Sequence, residues 1–227
     1  MSIRENWKIF QDDLEAASMK YGRSVSDITV MAVSKTRSVD EILAAGEAGL
    51  ELFGENRVEE ASEKFSVLDA ESYPLYLIGH LQSNKVSRIG ARFTGVHSVD
   101  SMKIAKRLSV HRREGKLPLE ILLQVNTSGE ASKSGFTDLN SFVEESQEIA
   151  ELPFLHLRGL MTMAPFVDDG RVVRDCFAEC REWSERISHL VEGGLILSMG
   201  MSSDYPWALA EGSTMIRIGT SIFGARE

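Results

Sequence analysis

Ile3, Trp7, Phe10, Leu14, Ala17 and Tyr21 recur at steps of three and four residues, which predicts an amphipathic N-terminal helix stopped at Gly22. The period then changes. Residues 28–33 form a short, nearly continuous apolar run of the kind that suits a strand buried on both faces. A second helix is expected to open at Ser38, where Glu41 completes a capping-box pattern, and to close at Gly49. The alternation continues to the C-terminus. Further strands are expected at 51–53, 74–78, 93–96, 119–125, 156–160, 195–198 and 214–218, with helices at 57–68, 82–89, 101–113, 139–151, 172–191 and 205–211.

Eight strands in strict alternation with helices predict the α/β class and a closed, parallel (β/α)8 TIM-type barrel with an extra N-terminal helix. The eighth strand is followed only by a short tail, so its helix is expected to be missing and the N-terminal helix to cover its place. An open doubly wound sheet is the alternative. Such a sheet usually carries a glycine-rich loop after its first strand, and here that strand runs out through Val33-Ser34-Lys35-Thr36-Arg37 without a glycine. No repeat, low-complexity tract or Pro/Gly/Ser-rich linker interrupts the chain, so residues 1–227 are read as a single domain. The least regular stretch is a polar loop at 127–138.

Composition narrows the classes of function. The 227 residues are 43% hydrophobic and 26% charged, an ordinary globular balance. A net charge of −9 repels phosphate backbones, so nucleic acid is a poor partner, and an anionic ligand needs a locally positive site. No apolar run approaches a membrane span. The first ten residues carry Arg4, Glu5 and Lys8 and lack a signal-peptide core, so the expected compartment is the cytoplasm. Cys176 and Cys180 have only Asp175 and Glu179 beside them, too few ligands for a metal site, and are read as small buried or half-buried thiols on a helix face.

In such a barrel the chemistry sits just past the strand ends. Those positions here are Ser34-Lys35, Glu55-Asn56, Gly79-His80, His97-Ser98, Asn126-Thr127, 161–163, Ser202-Ser203 and Arg217 to Thr220, nearly all with polar groups. Alternation places Thr29, Met31, Val33 and Lys35 on one face, which would bring the lysine to the barrel mouth. A partly desolvated lysine is a nucleophile toward aldehydes, whereas a strand-end lysine in plain solvent is the bland alternative. The loops at 198–204 and 212–220, after strands seven and eight, are rich in glycine and hydroxyls. That is where barrels of this type commonly hold phosphate. Arg217 would either pair with an acidic neighbour or serve the site. His80 and His97 invite a metal reading, but no His-x-His pair accompanies them and no metal is expected.

Several segments together are more specific than any motif alone: Ala32-Val33-Ser34-Lys35-Thr36, Phe53-Gly54-Glu55-Asn56-Arg57, Ile78-Gly79-His80-Leu81-Gln82-Ser83-Asn84-Lys85, Gln124-Val125-Asn126-Thr127-Ser128-Gly129-Glu130 with Lys133-Ser134-Gly135, Gly159-Leu160-Met161-Thr162-Met163, and the block from Ser198 to Arg226. From about Ile28 to Arg226 the chain resembles the pyridoxal phosphate homeostasis protein family (the proline synthase co-transcribed group). The resemblance implies an alanine-racemase-like barrel that binds pyridoxal 5′-phosphate, with Lys35 in Schiff-base linkage to it. It implies that Ser202, Ser203, Gly219 and Thr220 form the phosphate loops, that Asn56 lies beside the cofactor ring, and that Met201 and Arg217 are pocket positions. In such a site the fixed charge of Arg217 would hydrogen-bond the ring nitrogen and weaken the cofactor as an electron sink. The chain departs from the expected pattern at Pro206-Trp207, where a polar residue would be usual.

The resemblance also implies a role without a defined reaction: holding the cofactor for vitamin B6 and linked amino-acid homeostasis, as a monomer, with recipient apoenzymes as partners. Two enzymatic alternatives remain. A racemase needs an acid and a base on opposite faces of the substrate. No residues remain here for the second domain that brings the tyrosine, and Tyr205 is the one tyrosine expected near the rim, so at most residual activity is expected. A Schiff-base aldolase or isomerase acting on a sugar phosphate would use the same lysine and loops, but would not bind the cofactor.

Overall fold

The structure, a computed structural model, describes residues 1–112, 118–130 and 133–225. Arg113, Arg226 and residues 131–132 of the polar loop therefore lie outside the described residues. Eight parallel strands close into a barrel in sequence order: β1 (Thr29–Val33), β2 (Leu52–Glu55), β3 (Leu75–Leu77), β4 (Phe93–Val99), β5 (Leu119–Gln124), β6 (Leu155–Met161), β7 (Ile196–Ser198) and β8 (Met215–Ile218). β8 returns to β1 in the register Ala32↔Ile218, which completes the predicted fold.

The helices are α1 (Ile3–Lys20), α2 (Val39–Glu47), α3 (Val58–Phe65), α4 (Met102–Arg112), α5 (Leu139–Ala150), α6 (Gly170–Ile187), α7 (Tyr205–Ala210) and α8 (Thr220–Phe223). At α2 the capping box forms as read, with the Ser38 and Glu41 side chains each accepting the other's backbone N–H. Asp138 and Asp169 cap α5 and α6 by accepting the Ser141 and Arg171 backbone N–H groups. The expected helix at 82–89 is instead a 3-10 turn over Ser83–Arg88, and short 3-10 turns also occur at Val25–Asp27 and Ser188–Leu190. The eighth helix is not missing: one turn, α8, follows β8. α1 lies against it, with Asn6 Nδ2 donating to the Ile222 carbonyl at 3.0 Å and Phe10 edge-on to Tyr205 of α7 at 5.2 Å.

Strand alternation divides the core. Ala32, Phe53, Leu75, Leu77, Ile216 and Ile218 pack outward against the helices in the main cluster, while Met31, Val33, Tyr76, Ile78 and Met215 fill the barrel interior. β2 and β4 run further than expected, so Glu55, His97 and Ser98 stand inside strands rather than beyond them. All three are buried.

Candidate functional site

The eight residues singled out from the sequence fall on four neighbouring strands around one end of the barrel, in the order β7, β8, β1, β2. The register Val33↔Gly54 carries Lys35 level with Asn56. On the other side, a methyl group added at Gly219 would lie 3.6 Å from Val33 Cβ, so the exit of β8 adjoins that of β1. Lys35 is half-buried in the turn after β1. The preceding side chain, Ser34, reaches outward to donate to Glu55 at 2.6 Å, which by alternation leaves Lys35 to the barrel-mouth side. Thr36 has φ +65, a left-handed conformation that a β-branched residue adopts only under constraint.

The loops after β7 and β8 are bound to each other. The Arg217 N–H donates to the Gly200 carbonyl at 2.9 Å, and Gly200 (φ +99) sits so close to α7 that a Cβ would meet Ala208 Cβ at 2.7 Å. Asp204 is buried, and its Oδ1 turns back to accept the Met201 N–H at 2.5 Å. Burial pushes its carboxyl up, opposed by that hydrogen bond and by Arg217. Its charge is thus spent on the loop rather than presented to a ligand. Among the described residues no chain acceptor takes the backbone N–H groups of Ser202, Ser203 or Gly219, and the hydroxyls of Ser202, Ser203 and Thr220 stand beside them. This donor set, free of carboxylate, fits a phosphate group. Pro206 falls in the first turn of α7, where its missing N–H costs nothing, and Trp207 packs on Gly170 at the start of α6.

Arg217 shares the inward parity of Met215 and is buried. Among the described residues no carboxylate forms an ion pair with it, although the charge of Asp204 supports its protonated form. Its Nη1 donates to the Ser198 carbonyl (2.6 Å) and hydroxyl (2.9 Å), and its Nη2 to the Thr162 carbonyl (2.9 Å). Three of its five N–H groups are therefore committed and two remain. Burial lowers its pKa to about 10, so it keeps its charge at neutral pH. His97, its ring tilted against Tyr76 at 4.9 Å, is pushed down to about 3 by burial and by Arg217, and stays neutral. Asn56 makes no side-chain hydrogen bond among the described residues. Its backbone is fixed by Gly79, where a Cβ would lie 2.2 Å from the Asn56 carbonyl oxygen.

Other rim residues have structural employment. His80 lies between Asp100 (3.0 Å) and Ser134 (3.1 Å), whereas His97 is in the barrel interior, so the two histidines do not form one site. Asn126 folds the polar loop by donating to the Glu130 and Lys133 carbonyls, and Lys133 reaches the Ala164 carbonyl at 3.0 Å. Cys176 and Cys180 are free and buried, as read, with Cys176 against Thr127. The Tyr205 ring packs on α1, which turns it to structural use. Sequence reasoning missed the group behind Lys35, where Glu55, Glu60 and Lys64 meet. Its one sequence signal is a carboxylate in an otherwise apolar strand.

The family model described as alanine racemase, N-terminal domain, matches residues 3–227. A pyridoxal phosphate homeostasis protein from Vibrio cholerae is 42% identical over 231 residues, covering 100% of this chain and 97% of its own. The structure of PipY from Synechococcus elongatus with pyridoxal phosphate bound superposes with a TM-score of 0.83 at 32% identity, covering 98% of this chain and 100% of that one. An alanine racemase from Clostridium difficile superposes with a TM-score of 0.76 at 15% identity, over 98% of this chain and 57% of that one, a likeness of fold alone.

Proposed function

From the premise that this chain belongs to the alanine racemase N-terminal domain family and, within it, to the pyridoxal phosphate homeostasis proteins, we propose that it binds pyridoxal 5′-phosphate as a Schiff base on Lys35. The observation that carries the reading is the pairing of a half-buried lysine at the end of β1 with uncommitted backbone donors in the adjoining loops. Ser202, Ser203, Gly219 and Thr220 hold the phosphate, Met201 lines the pocket, and Asn56 stands level with Lys35 on the opposite side. When bound, the cofactor supplies an aldehyde and an electron-withdrawing ring. Arg217 would donate to the ring nitrogen and keep it unprotonated, because a guanidinium held by three acceptors in a buried site does not give up its proton.

An electron-poor ring is what stabilises carbanions, and Arg217 works against it. Tyr205, the one tyrosine expected near the rim, is packed against Phe10 rather than placed opposite Lys35. The chain therefore acts as a carrier in intracellular B6 and linked amino-acid homeostasis, with at most residual racemase-type activity. We read residues 1–227 as one domain, a monomer in the cytoplasm whose partners are the cofactor and recipient apoenzymes. No helix among the described residues is long and apolar enough to cross a membrane.

The test is an absorption spectrum of the protein incubated with pyridoxal phosphate and freed of excess, beside a Lys35→Ala variant. An imine band in the parent chain and none in the variant is expected. A parent chain without the band, yet able to bind a sugar phosphate, would favour the aldolase or isomerase reading.

A further inference from the structure

Behind the turn that carries Lys35, outside the barrel wall, one ammonium gathers three oxygens. Lys64 of α3 donates to the Ser34 carbonyl at 2.8 Å and to Glu60 Oε1 at 2.9 Å, and its ammonium pairs with Glu55 Oε1 at 2.6 Å. Glu55 Oε1 also accepts the Ser34 hydroxyl at 2.6 Å, and Glu60 Oε1 accepts the Thr36 backbone N–H at 2.6 Å. The residue before Lys35 and the residue after it are thus tied, through two carboxylates, to a single cation. The glutamate in the wall is fully buried and the lysine partly so.

A buried ion pair is a poor way to add stability, because desolvation offsets the attraction. This one carries further costs. Glu55 Oε2 is buried without a partner, and Thr36 is held at φ +65. Strain of that kind persists only where the surroundings over-determine the backbone. Here the over-determining contacts all converge on the two neighbours of one residue. Burial pushes the Glu55 carboxyl up against the pull of Lys64 and Ser34. Burial would also raise Glu60, but Lys64 and the Thr36 N–H hold it below the usual range.

We propose that Lys64 is a positioning residue for Lys35: with Glu55 and Glu60 it clamps residues 34 and 36 so that the Lys35 nitrogen meets the cofactor aldehyde in one fixed geometry. The inference rests on the reading of Lys35 as the covalent lysine. Condensation of the Lys35 ammonium with the aldehyde forms a C=N bond and breaks the C=O bond. The oxygen leaves as water with two of the nitrogen's protons, and charge is conserved. The clamp takes no part in that exchange. It sets how often the nitrogen is in place for it.

The experiment measures the rate constant of imine formation at saturating cofactor, the affinity for inorganic phosphate and the melting temperature, in Lys64→Met, Lys64→Arg and Thr36→Gly. Because Lys64→Met strips buried Glu55 of its cation, Thr36→Gly, which keeps every charge and releases the strain, carries the test if that variant does not fold. The rate constant is expected to fall about 10–100-fold in Lys64→Met and about tenfold in Thr36→Gly, with Lys64→Arg in part restoring it. Phosphate affinity is expected to stay within about twofold throughout, and Thr36→Gly to melt no lower than the parent. A merely structural clamp would lower melting and leave the rate constant alone. Imine formation at the parent rate in both Lys64→Met and Thr36→Gly would overturn the inference and leave the cofactor reading standing. No imine in the parent chain would overturn both.

Discussion

Replacing Gly200 by alanine tests how the loop after β7 is held. Gly200 has φ +99, and a Cβ there would lie 2.7 Å from Ala208 Cβ and 3.1 Å from Tyr205 Cα, with Ala208 fully buried. Two costs follow. Left-handed backbone in a residue with a Cβ costs about 1–2 kcal/mol, and overpacking costs about 1–3 kcal/mol more. The variant should lose about 2–5 kcal/mol in total. Gly49 is the control, since its φ is +100 and nothing lies within 4 Å of an added Cβ. Gly49→Ala should lose only the backbone share, about 1–2 kcal/mol. In a chain of this size each kcal/mol moves the melting temperature by about 2–4 °C, so thermal denaturation resolves the two. The displaced α7 should also spread the Ser202 and Ser203 donors, weakening phosphate binding in Gly200→Ala but not in Gly49→Ala. Equal losses of stability in the two variants would refute the packing argument.

Ser203→Asp places a carboxylate among the uncommitted donors and should weaken binding of inorganic phosphate at least about tenfold, with melting little changed, as calorimetric titration would show. His97 is neutral in the folded chain because burial, then Arg217, lowers its pKa from 6.5 to about 3. The unfolded chain takes up that proton first, so the neutral histidine's contribution is whole above pH 6.5 and lost progressively as pH falls toward 3, by about 2 kcal/mol at pH 5. His97→Gln should flatten this limb of the stability profile in urea titrations, and an unchanged slope would count against it. Cys176 and Cys180 are buried, and burial raises both thiols above their ordinary pKa. Neither should react with a soluble thiol reagent until the chain is unfolded.

The parts of the fold legible in the sequence are those fixed by local chemistry. The Ser38 and Glu41 pair announced its own helix start, and the glycine-free exit of β1 separated a closed barrel from an open sheet. The end of β2 was read two residues early because Gly54 and Glu55 are poor strand formers taken alone. Their neighbours hold them in the wall: the Ser34 N–H donates to the Gly54 carbonyl and the Ile78 N–H to the Glu55 carbonyl. His97 and Ser98 likewise look like loop residues. In the barrel His97 packs against the Tyr76 ring, and the Ser98 hydroxyl donates to the Gly79 carbonyl. Arg217 was placed correctly on β8, but its acceptors, Ser198 and Thr162, lie 19 and 55 residues away. Contacts at such separations, including the approach of Lys64 to Ser34, follow only from barrel closure. The resemblance supplied the roles of Lys35 and the phosphate loops, and geometry supplied the clamp behind them.

The proposed function turns on a covalent bond at one named lysine. The direct measurement is to incubate the protein with pyridoxal phosphate, reduce it with borohydride, digest it and locate the added mass. A phosphopyridoxyl group is expected on the peptide containing Lys35, and no specific incorporation in Lys35→Ala. An unmodified Lys35, or equal labelling of another lysine such as Lys64 or Lys133 in both proteins, would contradict it.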